Sequence, residues 1–213
     1  MPKKRLTITL DPTILKRVDS IINNKSILNR SHAIETILKD YFGSSIDTAI
    51  ILAGGHKVKK TPLFKLNDKN LLEHQLEQLR RAGIKTVVLN TNDDVENYDK
   101  YVNEFGVRGL SLIIEREKKP LGTGGALKKL KKYIGKKPAL VIHGDVYSDI
   151  DFSDFLEYHM EDKDTSTLVL TTVANPQKYG LVKVRGSEVI EFLEKPTQQK
   201  SPNLVSAGIY IIN

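Results

Sequence analysis

The chain has 213 residues, of which 39% are hydrophobic and 28% charged, a composition typical of a globular protein with one large domain or two unequal ones. Because it contains no cysteine, it can form neither disulfides nor thiolate metal sites, and a cysteine nucleophile is excluded. No apolar run approaches the ~20 residues of a membrane helix, and the opening MPKKRLTITL does not resemble a secretory signal. We therefore expect a cytoplasmic protein without a membrane partner.

The formal net charge of +7 is spread unevenly along the chain. Residues 1–44 carry eight lysines and arginines against four acidic residues, so more than half of the excess lies in about a fifth of the sequence. Such a concentration favours an anionic partner, although charge alone does not specify nucleic acid. Residues 1–44 are therefore predicted to form a separate basic domain.

This first domain begins with one predicted strand, followed by two predicted helices. In RLTITL, residues 5–10, apolar and polar side chains alternate as in a half-buried strand. Asp11 as N-cap and Pro12 at the first helical position start one helix, and NRS, residues 29–31, starts a second over HAIETILKDYF. One strand cannot satisfy its own backbone, and so short a segment cannot bury two helix faces. We therefore expect a homodimer or a higher homo-oligomer.

Residues 3–42 resemble the ribbon-helix-helix family of DNA-binding regulators, since NRSHAIETIL is similar to that family's SRSEAIREAL at the start of the second helix. In the family, two copies pair their strands into a ribbon that enters the major groove of double-stranded DNA. The resemblance implies that Arg5, Thr7 and Thr9 contact the bases. It also implies that Arg30 and Ser31, near a helix amino terminus, lie close to the DNA backbone. The alternative is a solvated edge strand whose basic neighbours keep the protein soluble.

A short polar linker, GSSID at residues 43–47, leads into a second predicted domain over residues 48–213. Predicted strands and helices alternate from Thr48 onward, which indicates a mostly parallel sheet with helices on both faces. In such folds, nucleotides bind beyond the carboxyl ends of the strands. In the last part of the chain, one predicted helix, DFSDFLEYHM, is followed only by predicted strands. These strands are TSTLVLTTV, YGLVKVRG, EVIEFLEK and SAGIYIIN.

Several stretches of this domain resemble, in order, the sugar-phosphate nucleotidyltransferases, which join a nucleoside triphosphate to a sugar 1-phosphate and release pyrophosphate. The matching stretches cover most of residues 48–213: IILAGG, NLLEHQLEQLRRAGIKTVVLN, PLGTGGAL, VIHGDVYSDIDFSDFLEYH, YGLVKV, EFLEKP and SAGIYIIN. The resemblance implies a Rossmann-like (GT-A-like) domain with a mixed, mostly parallel sheet. The expected fold class of the chain is α/β, with a ribbon-helix-helix domain at its amino end.

The same resemblance implies the binding residues. Glycines let backbone N–H groups approach phosphate oxygens, and Gly122 and Thr123 would lie against the base and ribose. The implied nucleotide-binding residues are Ala53, Gly54, Gly55, Gly122 and Thr123, and the implied sugar-binding residues are Gly180, Glu194, Lys195 and Gly208. Asp145 is where the family holds magnesium, a hard cation that prefers carboxylate oxygens. Considered singly, each of these residues could instead be a turn glycine, a helix cap or part of a surface ion pair.

The opening loop departs from the family's pattern, which is similar to GGxGTRLxPLTxxxPKPL. Here GGHKVKKTPLFKL is shorter, has no third glycine and no arginine, and places Thr61 where the family has a lysine. Because nucleotidyl transfer depends on positive charge at the phosphate oxygens, this loss predicts weakened or absent catalysis. Lys57, Lys59 and Lys60 could substitute as point charges without an arginine's bidentate fork. The sequence also ends at Asn213, ahead of the family's second magnesium-binding aspartate, which we expect to be missing.

Three functions remain open at this point. The interpretation favoured by the broken loop is a dimeric DNA-binding transcriptional regulator whose larger domain, impaired in catalysis, binds a nucleotide, a nucleotide sugar or a sugar phosphate, or serves assembly. The alternative is an active sugar-1-phosphate nucleotidyltransferase with a DNA-binding appendage. A third is a scaffold whose larger domain mediates oligomerisation and binds no ligand.

Overall fold

A computed structural model describes residues 6–23, 27–42, 46–54, 61–92, 95–135, 137–162, 166–195 and 203–213. The chain divides into two compact units, Met1–Gly43 and Ser44–Asn213. Within the described residues, no helix is long and apolar enough to cross a membrane. The cytoplasmic location stays a prediction.

The smaller unit contains two helices at the predicted positions. Helix α1, Pro12–Ser20, begins after Asp11, whose side chain accepts a hydrogen bond of 2.8 Å from the Thr13 backbone N–H. Helix α2, Arg30–Phe42, begins after Asn29, whose side chain accepts from the His32 N–H at 2.9 Å. Both caps satisfy backbone donors that a helix leaves free in its first turn. Val18 of α1 and Ala33 of α2 are buried.

The predicted strand at residues 5–10 differs from the structure, in which the described part, residues 6–10, belongs to no strand. A strand requires a hydrogen-bonding partner, and a single copy of this unit has none to offer at these residues. Leu6 and Ile8 are consequently 78% and 46% exposed. The structure thus gives two helices without a ribbon, and the ribbon-helix-helix assignment stays a prediction.

The larger unit is built on one mixed sheet flanked by helices. Its strands are β1 Thr48–Ala53, β4 Thr86–Thr91, β5 Ser111–Arg116, β6 Ala139–His143, β7 Ser166–Thr172, β8 Gly180–Arg185, β9 Glu188–Glu194 and β10 Leu204–Ile212. Among the described residues they follow the order β5-β4-β1-β6-β10-β8-β9, with β7 also paired to β10. A separate hairpin pairs β2 Lys65–Leu66 with β3 Lys69–Asn70. The predicted α/β fold with a mixed sheet is confirmed.

Strand β1 lies at the centre of the core and is buried along its whole length. Because successive side chains of a strand point to opposite faces, Ala49 and Ile51 join one apolar cluster while Ile50 and Leu52 join the other. The first cluster includes side chains of α3 Leu71–Arg81, α4 Asp99–Val107 and α6 Phe152–Asp162, and the second includes those of α5 Gly122–Ile134. The sheet is therefore covered on both faces, which explains the uninterrupted apolar run in TAIILA.

Glu115 of β5 ties the sheet to α5 through a group of charged and polar contacts. Its carboxylate accepts a 2.7 Å hydrogen bond from the Tyr133 hydroxyl and lies 3.0 Å from Lys129 Nζ and 3.3 Å from Lys132 Nζ. The Tyr133 hydrogen bond, followed by the two lysines, lowers the pKa of Glu115 to about 2 from an ordinary value of 4.5. The lysine-rich stretch of α5 is therefore partly occupied in holding the helix to the sheet.

This arrangement predicts a pH-dependent loss of stability. A carboxyl with a depressed folded-state pKa stabilises the fold above its unfolded value of 4.5, and the contribution is lost as pH falls from there toward about 2. Glu115→Gln is expected to lower the free energy of unfolding by about 1–2 kcal/mol at neutral pH, a modest loss because the two lysines are half-exposed and solvent screens their charge. Near pH ~2 the substitution should have almost no effect, because the contribution of the ionised carboxylate is then lost. Urea unfolding over this pH range measures the difference. Glu104→Gln, which removes an exposed pair with Arg108, is the control and should cost under ~0.5 kcal/mol.

Candidate functional site

The carboxyl ends of four parallel strands meet at one edge of the sheet. Strand β1 has β4 on one side and β6 on the other, and β5 lies beyond β4. The chain therefore leaves the end of β1 at the point where the strand order reverses direction. In open α/β sheets, ligands bind in the crevice at such a point.

Gly54, directly after β1, lies against a buried carboxylate. This carboxylate belongs to Glu117, which follows β5 and is only 5% exposed. Its Oε2 accepts a 2.7 Å hydrogen bond from Nδ2 of Asn90, near the end of β4. A Cβ atom at Gly54 would overlap Glu117 Oε2 and would come within 3.3 Å of Asn90 Nδ2. A side chain at position 54 would therefore force the Glu117 carboxylate out of its hydrogen bond with Asn90. Ala53, the last residue of β1, is buried.

Glu117 also fixes the start of helix α5. Its Oε1 accepts a hydrogen bond from the Leu121 backbone N–H, just before the helix begins at Gly122. Gly122 has φ +68°, a left-handed conformation that favours glycine, and Thr123 beside it is exposed. One buried side chain thus connects the ends of β4 and β5 to the predicted base-side residues.

Glu117 and Asn90 were not among the residues predicted from the sequence. The available signal was their position, since both come at the carboxyl end of a strand in the half of the sheet expected to bind a nucleotide. Asn90 is 1% exposed, and within the described part of the chain its Oδ1 has no hydrogen-bond partner. A buried acceptor of this kind is the exception in folded proteins, and it leaves a position for a donor.

Asp145 lies on a turn that directly follows β6. The Val146 N–H donates to the His143 carbonyl at 3.1 Å, and the Gly144 N–H donates to the Leu52 carbonyl of β1 at 2.8 Å. The Asp145 side chain is exposed. In the described residues no group of three or more histidine and acidic side chains forms a metal site by itself. A single exposed carboxylate fits magnesium, which proteins commonly hold through one or two carboxylates together with substrate phosphates.

The predicted sugar-side residues lie on the antiparallel strands. Gly180 of β8 is paired with Glu194 of β9, and Lys195 Nζ lies 2.8 Å from Glu194 Oε1. A Cβ atom at Gly180 would overlap the half-exposed ring of Phe192, so a side chain there would displace that ring.

His143 connects this hairpin with the Asp145 turn. Burial lowers the pKa of His143, with a smaller lowering by Lys195, while the charges of Asp145 and Glu194 act in the opposite direction. Gly208 of β10 has φ +76°, and a Cβ there would come within 3.2 Å of the His143 ring. Gly208 therefore lies against His143, while the charges of Asp145, Glu194 and Lys195 act on the imidazole. Their individual roles stay predictions.

The predicted DNA-contacting residues belong to the smaller unit. Thr7, Thr9 and Ser31 are exposed. Arg30 makes a bidentate ion pair with Asp19 at 2.7 and 2.9 Å, which occupies its guanidinium group and lowers the pKa of Asp19. Two further predicted residues, Arg5 and Gly55, and the lysines of the opening loop lie outside the described residues.

The fold and the site together define an α/β domain of the kind that binds small phosphorylated ligands at the carboxyl edge of its sheet. Residues 48–213 match a family model described as "Nucleotidyl transferase", and the chain belongs to this family. It is 34% identical over 180 residues to a mannose-1-phosphate guanyltransferase of Yarrowia lipolytica, covering 77% of this chain and 48% of that protein. The chain spans about half the length of the curated relatives it matches.

One further relative agrees with this family assignment, and one solved structure agrees with the fold. The chain is 35% identical over 177 residues to a mannose-1-phosphate guanylyltransferase catalytic subunit beta of Drosophila melanogaster, covering 78% of this chain and 48% of that protein. A solved structure of UDP-glucose pyrophosphorylase complexed with UDP-glucose superposes with a TM-score of 0.68 at 20% identity, covering 78% of this chain and 76% of that one. At that identity the likeness concerns the fold alone.

The interpretation as a DNA-binding transcriptional regulator with impaired catalysis is wrong. Relatives at 34–36% identity over 77–78% of the chain are named as mannose-1-phosphate guanyltransferases, which supports the alternative of a nucleotidyltransferase. One altered loop does not outweigh a family match that extends over residues 48–213. An arginine missing from a loop that keeps three lysines changes the arrangement of positive charge without removing it.

Proposed function

We propose that the protein is a sugar-1-phosphate nucleotidyltransferase. In this reaction an oxygen of the sugar 1-phosphate attacks the α-phosphorus of a nucleoside triphosphate and forms a new P–O bond. The bond from the α-phosphorus to its bridging oxygen breaks, and pyrophosphate leaves with that electron pair. The observation that carries the proposal is the strand order, in which β6, followed by Asp145, lies between β1, followed by Gly54, and the strands β10, β8 and β9 that lead to Glu194 and Lys195.

Each side of the crevice has its own part in this proposal. The backbone at Gly54 can approach phosphate oxygens closely because no side chain intervenes. Glu117 holds the Leu121 N–H and so fixes Gly122 and Thr123 against the nucleoside. On the opposite side, the Lys195 ammonium supplies positive charge for the sugar phosphate, and the Glu194 carboxylate can accept hydrogen bonds from sugar hydroxyls.

Asp145 is the residue that would hold magnesium. Its exposed carboxylate faces no ion-pair partner within the described residues, so it is available to a cation. When bound, magnesium would neutralise negative charge on the phosphate oxygens and hold them in a defined geometry. Lys57, Lys59 and Lys60 of the opening loop carry further positive charge for the same phosphates.

The substrates that best fit the relatives are GTP and mannose 1-phosphate. The proteins with which this chain shares 34–36% identity carry mannose 1-phosphate and guanyl transfer in their names. The test is pyrophosphate release by the full chain with GTP, UTP, ATP or dTTP, each with mannose 1-phosphate or glucose 1-phosphate. We expect magnesium-dependent release, greatest with GTP and mannose 1-phosphate. Absence of release in every combination would contradict the enzyme assignment, and release greatest with another pair would correct the substrates.

We also propose that the smaller unit joins two copies of the chain. Leu6 and Ile8 expose large apolar side chains, and the described residues of the unit leave them uncovered. Ile8→Asp is expected to convert the dimer to monomers in light scattering at micromolar concentration, because a charge would be buried at the shared face. Thr7→Asp, on the opposite side of an extended segment, is the control and should leave the dimer mass unchanged. Identical masses for both variants and the unsubstituted protein would contradict this interface.

A further inference from the structure

One face of helix α3 is polar where an apolar face would be expected, and it contacts the segment that carries Asp145. Gln75 is 2% exposed, yet its Nε2 donates to the His143 carbonyl at 3.1 Å and to the Val146 carbonyl at 2.8 Å. One turn further along the helix, Gln78 Nε2 donates to the Ser148 carbonyl at 2.9 Å. His74 Nε2 also lies 2.8 Å from that carbonyl, and its ring stacks on Tyr147 at 4.6 Å.

The two carbonyls held by Gln75 bracket Asp145. The Val146 N–H bonds to the His143 carbonyl at 3.1 Å, which closes a four-residue turn with Gly144 and Asp145 at its centre. Such a turn by itself has a single closing hydrogen bond. The Gln75 amide adds a second bond to the carbonyl at the start of the turn and a bond to the carbonyl at its end. The backbone on both sides of Asp145 is thereby fixed to a rigid helix.

The side-chain amide of Gln75 is well suited to this pair of contacts. Its nitrogen carries two hydrogens, so it can donate to two carbonyls at once, while an ionised glutamate of similar shape has no hydrogen to donate. In the described residues Gln75 Oε1 has no partner, so the two donated bonds are the polar contacts that keep this side chain in the core. Burying an amide with an unsatisfied oxygen is costly, which indicates a role beyond filling space.

We propose that Gln75 is a positioning residue that fixes the turn bearing Asp145 and so sets the place of the carboxylate that binds the cation. This inference rests on the proposed function in that it takes Asp145 as the cation ligand. Groups that orient a metal ligand typically change metal affinity by about 10–100-fold when removed. Gln75 acts through the backbone rather than on the carboxylate itself, so we expect an effect at the lower end, about tenfold.

The test compares Gln75→Met and Gln75→Glu with Gln78→Met. Methionine keeps the length and burial of the side chain but donates no hydrogen bond, and Gln75→Glu keeps the shape while replacing the donor by a carboxyl group. Gln78→Met removes the matching contact to Ser148, beyond the turn, and is the control. Two quantities are measured on the full chain: hydrogen exchange of the Gly144 and Val146 amides without ligands, and Mn²⁺ affinity by electron paramagnetic resonance in the presence of GDP-mannose.

We expect both Gln75 variants to accelerate exchange at Gly144 and Val146 and to weaken Mn²⁺ binding by about tenfold, while Gln78→Met leaves both within twofold. Unchanged exchange and unchanged Mn²⁺ affinity in a folded Gln75 variant would overturn the proposal. An equal effect of Gln78→Met would also overturn it, because the role would then belong to the whole face of the helix.

Failure of the proposed function has a different signature. If the unsubstituted protein releases no pyrophosphate and Asp145→Ala binds Mn²⁺ as the unsubstituted protein does, Asp145 is not the cation ligand. The exchange measurement requires neither metal nor substrate. It therefore reports whether Gln75 holds the turn even in that case, and a faster exchange confined to the Gln75 variants supports the structural half of the inference.

Discussion

Asp145→Ala is expected to lower the rate of magnesium-dependent pyrophosphate release by about 10³-fold or more. Negative charge on the phosphate oxygens must be balanced while the bond to pyrophosphate breaks, and Asp145 is the exposed carboxylate on the turn that follows β6. Since it lies on an exposed turn, its removal should not unfold the protein. The loss should therefore appear in kcat, with little change in the melting temperature.

The matched control is Asp149→Ala, in the same exposed segment four residues further along. It changes the net charge by the same amount as Asp145→Ala, so any general electrostatic effect on a negatively charged substrate is shared by both variants. We expect Asp149→Ala to keep activity within about twofold, as is usual for surface substitutions without specific contacts. Comparable loss in the two variants would show that charge, rather than cation binding at Asp145, determines the rate.

Gly54→Ala is the second substitution with a large expected effect. The added methyl group would overlap Glu117 Oε2, whose carboxylate is held by Asn90 and by the Leu121 N–H. Moving that carboxylate breaks hydrogen bonds to a buried charged group, which costs about 2–3 kcal/mol in free energy of unfolding. It also releases the start of α5, so the affinity for GTP should fall by at least about tenfold.

Gly106→Ala is the control for the general effect of replacing a glycine. Gly106 lies in helix α4, and a Cβ there would meet nothing within 4 Å. Alanine should stabilise this position by about 0.5–1 kcal/mol, because it reduces the freedom of the unfolded chain and favours the helix. Urea unfolding and calorimetric titration with GTP measure both variants. A Gly54→Ala protein that binds GTP normally would show that the Glu117 contact is unimportant for the site.

The strands and helices of the larger unit could be predicted closely because local signals and burial agree. TAIILA is predicted and observed at residues 48–53, and the predicted helix NLLEHQLEQLRRAG corresponds to α3 at Leu71–Arg81. Asn70 accepts from the Glu73 N–H and Glu73 accepts from the Asn70 N–H, a capping box that the sequence signals by residue type and spacing. The strand predicted at residues 5–10 stays a prediction, because its described residues, 6–10, belong to no strand and the predicted pairing requires a second molecule.

The supporting residues of the site could not be predicted, because their importance arises from contacts between distant segments. Glu117 meets Gly54 across 63 positions of the chain, and Gln75 meets Val146 across 71. Neither residue type is unusual in its local sequence. By contrast, the glycines at 180 and 208 could be found through family resemblance, and the structure adds a reason: a Cβ at 180 would overlap the Phe192 ring, and Gly208 has φ +76° and lies close to His143.

Strand β6 runs parallel to β1 on one side and antiparallel to β10 on the other. The residues proposed for the nucleotide therefore come from one half of the sheet, and those for the sugar from β10 and the β8–β9 hairpin in the other half. Among the described residues, the two proposed sets meet at the β6 turn, so we expect the base and sugar specificities to be separable. A chimaera that exchanges residues 180–194 for the hairpin of a relative should change the sugar preference and keep the base preference, which would open this boundary to the engineering of new nucleotide sugars.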